Sequence, residues 1–526
     1  MKPLIARCLL AIGALSVTGL MGLGVLDLVT RSSYLHRALS GNAGPRMAML
    51  DEERVAAAAK TVGPFSAPID PHVGITMKRG ARRDLVGTPA SMDGFGQRLR
   101  VGPEPVAGAL RIAVLGDSVA FGFGVADDQT IGHFLEEYLA RCCAVRPVVF
   151  TVACPGWNHH NEHRFLKSHL ARLRPDVVLL LPIGNDLHDA YTVNEVGHRS
   201  LEYDPVRGAV QPHTSAEQYN LMMVHYAQAS LQELMKVRAA GGLEASMPHV
   251  VTSGLAPESR RRWVEVVDNV RDLDRCLRAR GARLAVGLTV DKGFEAAYRA
   301  RIGAALPELP FIATFDAIGT ADHLATDPHP NARYTRALAW CFAEFLVRQG
   351  WLKEVDAGKL PPIPEGFASR RVPARSPEQV RARADEYTAK WRAFFRSEVV
   401  VRDTTGFHQV YGAVYGDGVV NRTLLVALRN PGRGVIVMHF DRLRGDSGVY
   451  PLRLTARING VSAGEMEVTP PRGNELADAF RIAVPASVRD EFVDLEVRAS
   501  NWVVEQDQGM SRTASFKLLR VGFEAQ

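Results

Sequence analysis

From residue 111 onward the chain alternates short, uninterrupted apolar runs with stretches whose apolar positions recur at helical spacing. Residues 111–115 form such a run and end in Gly116-Asp117-Ser118, after which residues 130–141 carry the periodicity of an amphipathic helix. Further runs at 147–153, 177–183, 283–290 and 311–315 predict strands, and the patterns at 161–173, 261–280 and 332–349 predict helices. Uninterrupted apolar runs mark strands buried on both faces, and strands alternating with helices predict an α/β fold with a doubly wound parallel sheet. Such sheets bind ligands at the carboxyl ends of their strands, so the polar residues that follow each run are the candidates for chemistry.

Beyond residue 399 the pattern changes to short β-branched runs at 422–428, 434–440, 450–458 and 492–500, broken by Gly, Asn, Asp and Pro, which predicts an all-β sandwich. Residues 353–375 are rich in Pro, Gly and basic side chains and read as a linker. The run Ser376-Pro377-Glu378-Gln379 then fits a capped helix start, predicting a helix to about residue 398. The segment 187–260 is longer than a simple crossover requires. Its predicted helix at 216–240 either covers the sheet's carboxyl edge as a lid or packs on the sheet through Leu221, Met222, Leu231 and Leu234.

At the N-terminus, residues 8–26 carry no charge and are bracketed by Lys2 and Arg7 on one side and Asp27 and Arg31 on the other. At helical rise this stretch spans roughly 28 Å, enough for a membrane's hydrocarbon layer and longer than most signal-peptide cores. It reads as an uncleaved anchor, with a cleaved signal as the alternative; both imply export. The expected location is membrane-anchored, facing the periplasm or exterior, or secreted if the segment is removed. The expected organisation is an anchor or signal at 1–30, an irregular region at 31–107 wrapping the next domain, an α/β domain at 108–352, a linker and helix at 353–398, and a β domain at 399–526.

A composition of 46% hydrophobic residues fits a globular protein, and 526 residues leave room for two or three domains. The net charge of +6 is spread thinly, with no basic stripe interleaved with aromatics, so nucleic acid is not an expected partner. The six cysteines show no zinc-ligand spacing. Cys142 or Cys143 pairing with Cys154 in an oxidising compartment is an alternative to free thiols. His159, His160 and His163 cluster, but without a carboxylate or cysteine framework they read as helix-start or rim residues. No metal and no cofactor is expected.

Ser118 follows a buried strand and precedes a turn with Gly122 and Gly124. A serine becomes a nucleophile only with a base in hydrogen-bond reach and a pocket of donors for the oxyanion. Ala120 replaces the last glycine of the G-x-S-x-G elbow, so a different serine-hydrolase design is needed. Four blocks, in order, resemble the SGNH (GDSL-like) hydrolase family across residues 110–348: Val114-Leu115-Gly116-Asp117-Ser118-Val119, Ala153-Cys154-Pro155-Gly156-Trp157-Asn158, Ile183-Gly184-Asn185-Asp186, and Asp327-Pro328-His329-Pro330-Asn331. The resemblance implies an SGNH/flavodoxin-like sheet with Ser118 as nucleophile and His329 as base. It assigns Asp327 to orient the imidazole, and the oxyanion donors to Ser118, Gly156 and the Asn185 side chain. Where the family commonly carries its acid three residues before the histidine, this chain has Thr326, so Asp322 rivals Asp327 and His323 is a rival base.

The chemistry implied is cleavage of carboxylic esters through an acyl-enzyme, resolved by water in an esterase or by another hydroxyl in an O-acyltransferase. The expected partner is an ester substrate, such as an acetylated envelope saccharide, with the β domain holding sugar. Trp502 and Tyr450 either stack on sugar rings or pack in the core. The alternative is a non-catalytic envelope polysaccharide-binding or assembly protein that retains the fold.

Overall fold

The computed structural model describes residues 73, 76–85, 87–183, 201–204, 209–212, 253–288, 292–315, 320–324, 327–372, 375–401, 409–410, 418–420, 423–432, 434–443, 447–473, 475–507 and 510–524. The anchor or signal at 1–30, the helix expected at 216–240, and Gly184, Asn185 and Asp186 lie outside the described residues. The chain divides into two compact units, Met1–Arg46 and Met47–Gln526, and every described residue belongs to the second. Among the described residues no helix is long and apolar enough to cross a membrane.

A hairpin of β1 (Arg82–Leu85) and β2 (Thr88–Ser91) precedes the α/β region. That region runs β3 (Arg111–Gly116), α1 (Ser118–Phe121), α2 (Ile131–Cys142), β4 (Val148–Ala153), α3 (His159–Leu173) and β5 (Val177–Leu181). After a small hairpin of β6 (Leu201–Asp204) and β7 (Ala209–Pro212) come α4 (Pro257–Arg278), β8 (Arg283–Gly287), α5 (Lys292–Ala305), β9 (Phe311–Ile312), β10 (His323–Leu324), β11 (Asp327–Pro330) and α6 (Ala332–Arg348). Strands β4-β3-β5-β8-β9 form one sheet, parallel throughout. This is the doubly wound arrangement the apolar runs predict. Successive connections leave β3 in one direction and cross back to β5 in the other, so right-handed crossovers place α2 and α3 on opposite faces. Accordingly α2 packs with α6, and α3 with α4.

Close approach of β3, β5 and α1 requires the residue at the end of β3 to lack a side chain. A Cβ on Gly116 would sit 2.7 Å from the Ala120 Cβ and 3.0 Å from the Leu181 carbonyl oxygen. Glycine there lets the chain turn at once into α1.

Residues 353–375, which read as a linker by composition, are docked. The Phe367 ring is fully buried against Phe315 and Tyr334, the Trp340 indole donates to the Pro361 carbonyl, and the Val372 amide donates to Thr314. Helix α7 (Pro377–Phe394) starts with the expected capping box on Ser376 and packs against α5.

The C-terminal strands are β12 (Glu398–Val400), β13 (Val419–Val420), β14 (Thr423–Arg429), β15 (Val435–Asp441), β16 (Leu452–Ile458), β17 (Val461–Val468), β18 (Ala477–Ala483), β19 (Phe492–Ala499), β20 (Val503–Asp507), β21 (Met510–Ala514) and β22 (Phe516–Phe523). They form two larger antiparallel sheets, β12-β22-β15-β18 with β13 also on β22, and β14-β19-β16-β17, plus a β20-β21 hairpin. Strand β16 alternates buried and exposed residues along its length, the pattern of a strand with one face on a core. Apolar side chains of both larger sheets meet in one cluster that includes Val426, Met438, Leu454 and Val497.

The two regions meet at the start of α4, whose N-cap residue, Ala256, has no side chain to cap with. Asp494 on β19 supplies the acceptor instead, taking the Glu258 amide at 2.5 Å, while the Arg260 guanidinium reaches Asp490 at 2.9 Å. Burial pushes the Asp494 carboxyl up to about 7, overcoming the opposing pull of the helix amide and of Arg262 and Arg260. The folded state therefore holds this proton where the unfolded chain has released it, so stability falls as pH rises from the ordinary aspartate range to about 7. The group's contribution is at most about 4 kcal/mol. Urea midpoints for the wild type are expected to drop between pH 5 and pH 8, and Asp494→Asn should flatten that drop. An equally steep drop in the variant would show that another group governs it.

Candidate active site

The first and second blocks fall on the loops that leave the carboxyl ends of the adjacent strands β3 and β4, the fourth falls on the hairpin before α6, and of the third only Ile183, just past β5, is among the described residues. Ser118 is the first residue of α1, directly behind β3 at the point where the winding direction reverses. Asp117 caps this single turn: one carboxylate oxygen accepts the Val119 amide at 2.9 Å and the other accepts the Ser118 hydroxyl at 2.9 Å. Gly122 ends the turn in the left-handed region at φ 75°, donating its amide to the Ser118 and Val119 carbonyls. Ser118 is only 5% exposed. Its amide lies at the start of a single helical turn.

Gly156 occupies the turn between β4 and α3 at φ 85°, a conformation that favours glycine, and the Trp157 amide closes that turn on the Cys154 carbonyl at 3.0 Å. Asn158 then caps α3 in a capping box with Asn161. The Trp157 ring, fully buried against Phe165, fixes the turn from behind.

His329 lies on β11, so the block expected as a stiff loop is one strand of a hairpin, with His323 paired to Pro330 and Leu324 to Asp327. Its ring lies against Phe123, centroids 4.7 Å apart and planes 43° from parallel, and the hairpin strand packs against α1. The structure thus gathers Ser118, the loop behind it and the hairpin carrying His329 at one end of the sheet. Asp327 occupies β11 two residues before the histidine.

The rival acid, Asp322, also engages two arginines. Its buried carboxylate accepts Arg370 at 2.7 Å and Arg333 at 3.2 Å, and both guanidiniums also lie over the Phe367 ring. Asn331 locks the same hairpin: its carbonyl oxygen caps α6, while its amide nitrogen donates to the Ala321 and His323 carbonyls at 2.8 and 3.0 Å. Three such ties fix the strand on which the imidazole stands.

The three clustered histidines each face a different carboxylate, and among the described residues no group of three or more metal-binding side chains occurs. His160 faces Glu265 at 3.3 Å, and His163 faces Asp272 at 2.7 Å. His159 is the first residue of α3, the helix-start position of the two expected, and it is buried between Glu162 at 2.7 Å and the Tyr298 hydroxyl at 3.1 Å. Burial, reinforced by the charge of Asp117, pushes the Glu162 carboxyl well above its usual range. Cys142, Cys143 and Cys154 are all free thiols, so the disulfide alternative is not realised. Tyr450 packs on the C-terminal core and donates its hydroxyl to Leu443 at 2.7 Å, and Trp502 is half-buried.

Sequence reasoning missed Phe123, which touches His329, and Arg98, which holds the turn carrying Phe123. The glycines flanking Phe123 signal that turn, whereas nothing near Arg98 in the sequence marks its role.

A doubly wound α/β protein with a serine and a histidine gathered at its carboxyl edge is the class that this fold and site define. No protein-family model and no curated protein matches the chain. Among solved structures it is similar to TesA, at 14% identity over 45% of this chain and 98% of that one, with a TM-score of 0.27. It is also similar to the acetyl xylan esterase Est2A from the rumen bacterium Butyrivibrio proteoclasticus, at 11% identity over 48% and 67% of the two chains, TM-score 0.30. A family two carbohydrate esterase from Cellvibrio japonicus matches at 13% identity over 48% and 64%, TM-score 0.28.

Proposed function

We propose that the chain is a serine-dependent ester hydrolase or O-acyltransferase in which Ser118 attacks the ester carbonyl and His329 takes the serine proton. Asp327 orients the imidazole in this reading. The amides of Ser118 and Gly156, with the Asn185 side chain, receive the oxyanion. The observation that carries the reading is the convergence of Ser118, at the N-terminus of α1, with the hairpin of His329 through Phe123. In the resting arrangement the Ser118 hydroxyl donates to Asp117. Rotation of that side chain frees the hydroxyl for His329, while Asp117 keeps its capping bond to Val119.

Attack forms an acyl-enzyme as the leaving alcohol takes the proton from His329; water or an acceptor hydroxyl then releases the acyl group by the reverse path. We read the substrate as an acetylated saccharide of the cell envelope. The C-terminal sheets, read as a β-sandwich, lie beside the α/β region as its saccharide holder, and the segment at 1–30 is the anchor or export signal.

Incubating the protein with acetylated oligosaccharide and an excess of unacetylated acceptor separates the two outcomes. Acetate released without acceptor modification defines an esterase, and acetylated acceptor defines a transferase. Neither product, at Ser118-dependent rates above the uncatalysed background, would remove the reading.

A further inference from the structure

Arg98 lies outside the parallel sheet, in the segment after the first hairpin, yet its side chain is only 1% exposed. All three nitrogens of its guanidinium are engaged. Nε donates to Asp127 at 2.8 Å, one terminal nitrogen donates to the Gly122 carbonyl at 2.9 Å, and the other to the Val125 carbonyl at 2.5 Å. The group also lies over the Phe121 ring at 5.3 Å. Asp127 in turn accepts the Ser91 amide at 2.9 Å, tying the clamp to β2. Burying a guanidinium is costly unless its donors are satisfied, and here two nitrogens serve the two ends of one four-residue turn and the third serves Asp127.

That turn is the part of the nucleophile loop facing His329. Phe123 presents its ring to the imidazole, and its amide donates to the Ser118 carbonyl at 3.0 Å. Gly124, at φ 79°, lies so close to Leu324 that a Cβ there would overlap the leucine Cδ1 and displace it. The turn therefore touches both strands of the His329 hairpin while hanging from the residue that carries the hydroxyl.

We infer that Arg98 is a positioning residue: by holding the Gly122 and Val125 carbonyls it fixes the turn that sets His329 against Ser118. The inference rests on the serine-hydrolase reading for its catalytic consequence, though the clamp itself is independent of it. Lysine at this position keeps the charge but carries its three donors on a single nitrogen, which cannot span both carbonyls and Asp127. A catalytic pair displaced by about 1 Å loses on the order of a hundredfold in rate.

The test is a double-mutant cycle of Arg98→Lys and Phe123→Leu with p-nitrophenyl acetate, run across pH, beside hydrogen exchange read by mass spectrometry. Each single variant is expected to lower kcat by about 10- to 100-fold with KM changed less than about threefold. The double variant should be no worse than the poorer single one, because both break one chain of contacts. In Arg98→Lys, exchange should quicken in peptides covering 118–125 and 323–330 but not in those covering 283–305. Wild-type kcat in Arg98→Lys, additive losses, or unchanged exchange at 323–330 would overturn the clamp. Full activity in Ser118→Ala would remove the catalytic reading, and the exchange comparison would still decide the clamp.

Discussion

Ser118→Ala is expected to lower kcat/KM for an activated acetyl ester by at least about 10,000-fold, down to what the remaining oxyanion donors supply. The size follows from the chemistry: without the hydroxyl no acyl-enzyme forms, and no other serine lies at the N-terminus of α1. His329→Ala should lose a similar factor, and the double variant little more than either, because the two residues act as a unit. Substrate affinity should change little, since Ser118 is nearly buried and contributes little binding surface. Steady-state rates of the three variants beside the wild type check this. A Ser118→Ala enzyme within tenfold of the wild type would place the nucleophile elsewhere.

Phe367→Ala should give a large loss of stability, because this one residue of the 353–375 segment is part of the α/β region's apolar core. The ring is fully buried, packed on Phe315 at 4.8 Å and on Tyr334 at 6.1 Å, with the guanidiniums of Arg333 and Arg370 each 4.9 Å from its centre. Truncating a buried phenylalanine costs about 3–5 kcal/mol through lost transfer energy and the cavity left behind. Each cation–π contact adds about 0.5–1 kcal/mol. The same two arginines hold Asp322 beneath the His329 hairpin, so the loss should reach the site. Urea unfolding is expected to show a clear fall in midpoint, with a smaller fall in kcat in native buffer. A change under about 1 kcal/mol would mean that the 353–375 segment does not hold the α/β region together.

The parallel sheet was legible because its strands are buried on both faces, which leaves uninterrupted apolar runs such as Val177–Leu181. The strand-end positions of Ser118 and Gly156 were legible for a related reason, since both sit within one to three residues of a strand end, and local turn chemistry marks them. Asn331 could be read as a cap from its place before α6, but its second pair of bonds, to the Ala321 and His323 carbonyls, depends on how the preceding residues fold back. The strand character of Asp327–Pro330 was not legible, because two prolines in four residues suppress any strand signal.

Contacts over long sequence separation were the least legible. Arg98 meets the turn after Ser118 about 25 residues away, Asp494 caps a helix from another sheet, and Tyr298 completes the bond network of His159. Residues 353–375 misled by composition: proline and glycine there shape a docked strap, and a single buried ring, Phe367, anchors it. Helix α5 was missed altogether, because its small residues, Ala296, Ala297 and Ala300 among them, give weak periodicity.

The account turns on Ser118 being the group that attacks. Treating the full chain with diethyl p-nitrophenyl phosphate and mapping the product by peptide mass spectrometry tests this most directly, because an organophosphate traps a hydroxyl only where a base activates it. The expected result is one diethylphosphoryl group per chain, on Ser118, forming as ester turnover disappears and much more slowly in His329→Ala. A phosphorylated residue other than Ser118, or full loss of turnover with Ser118 unmodified, would contradict it.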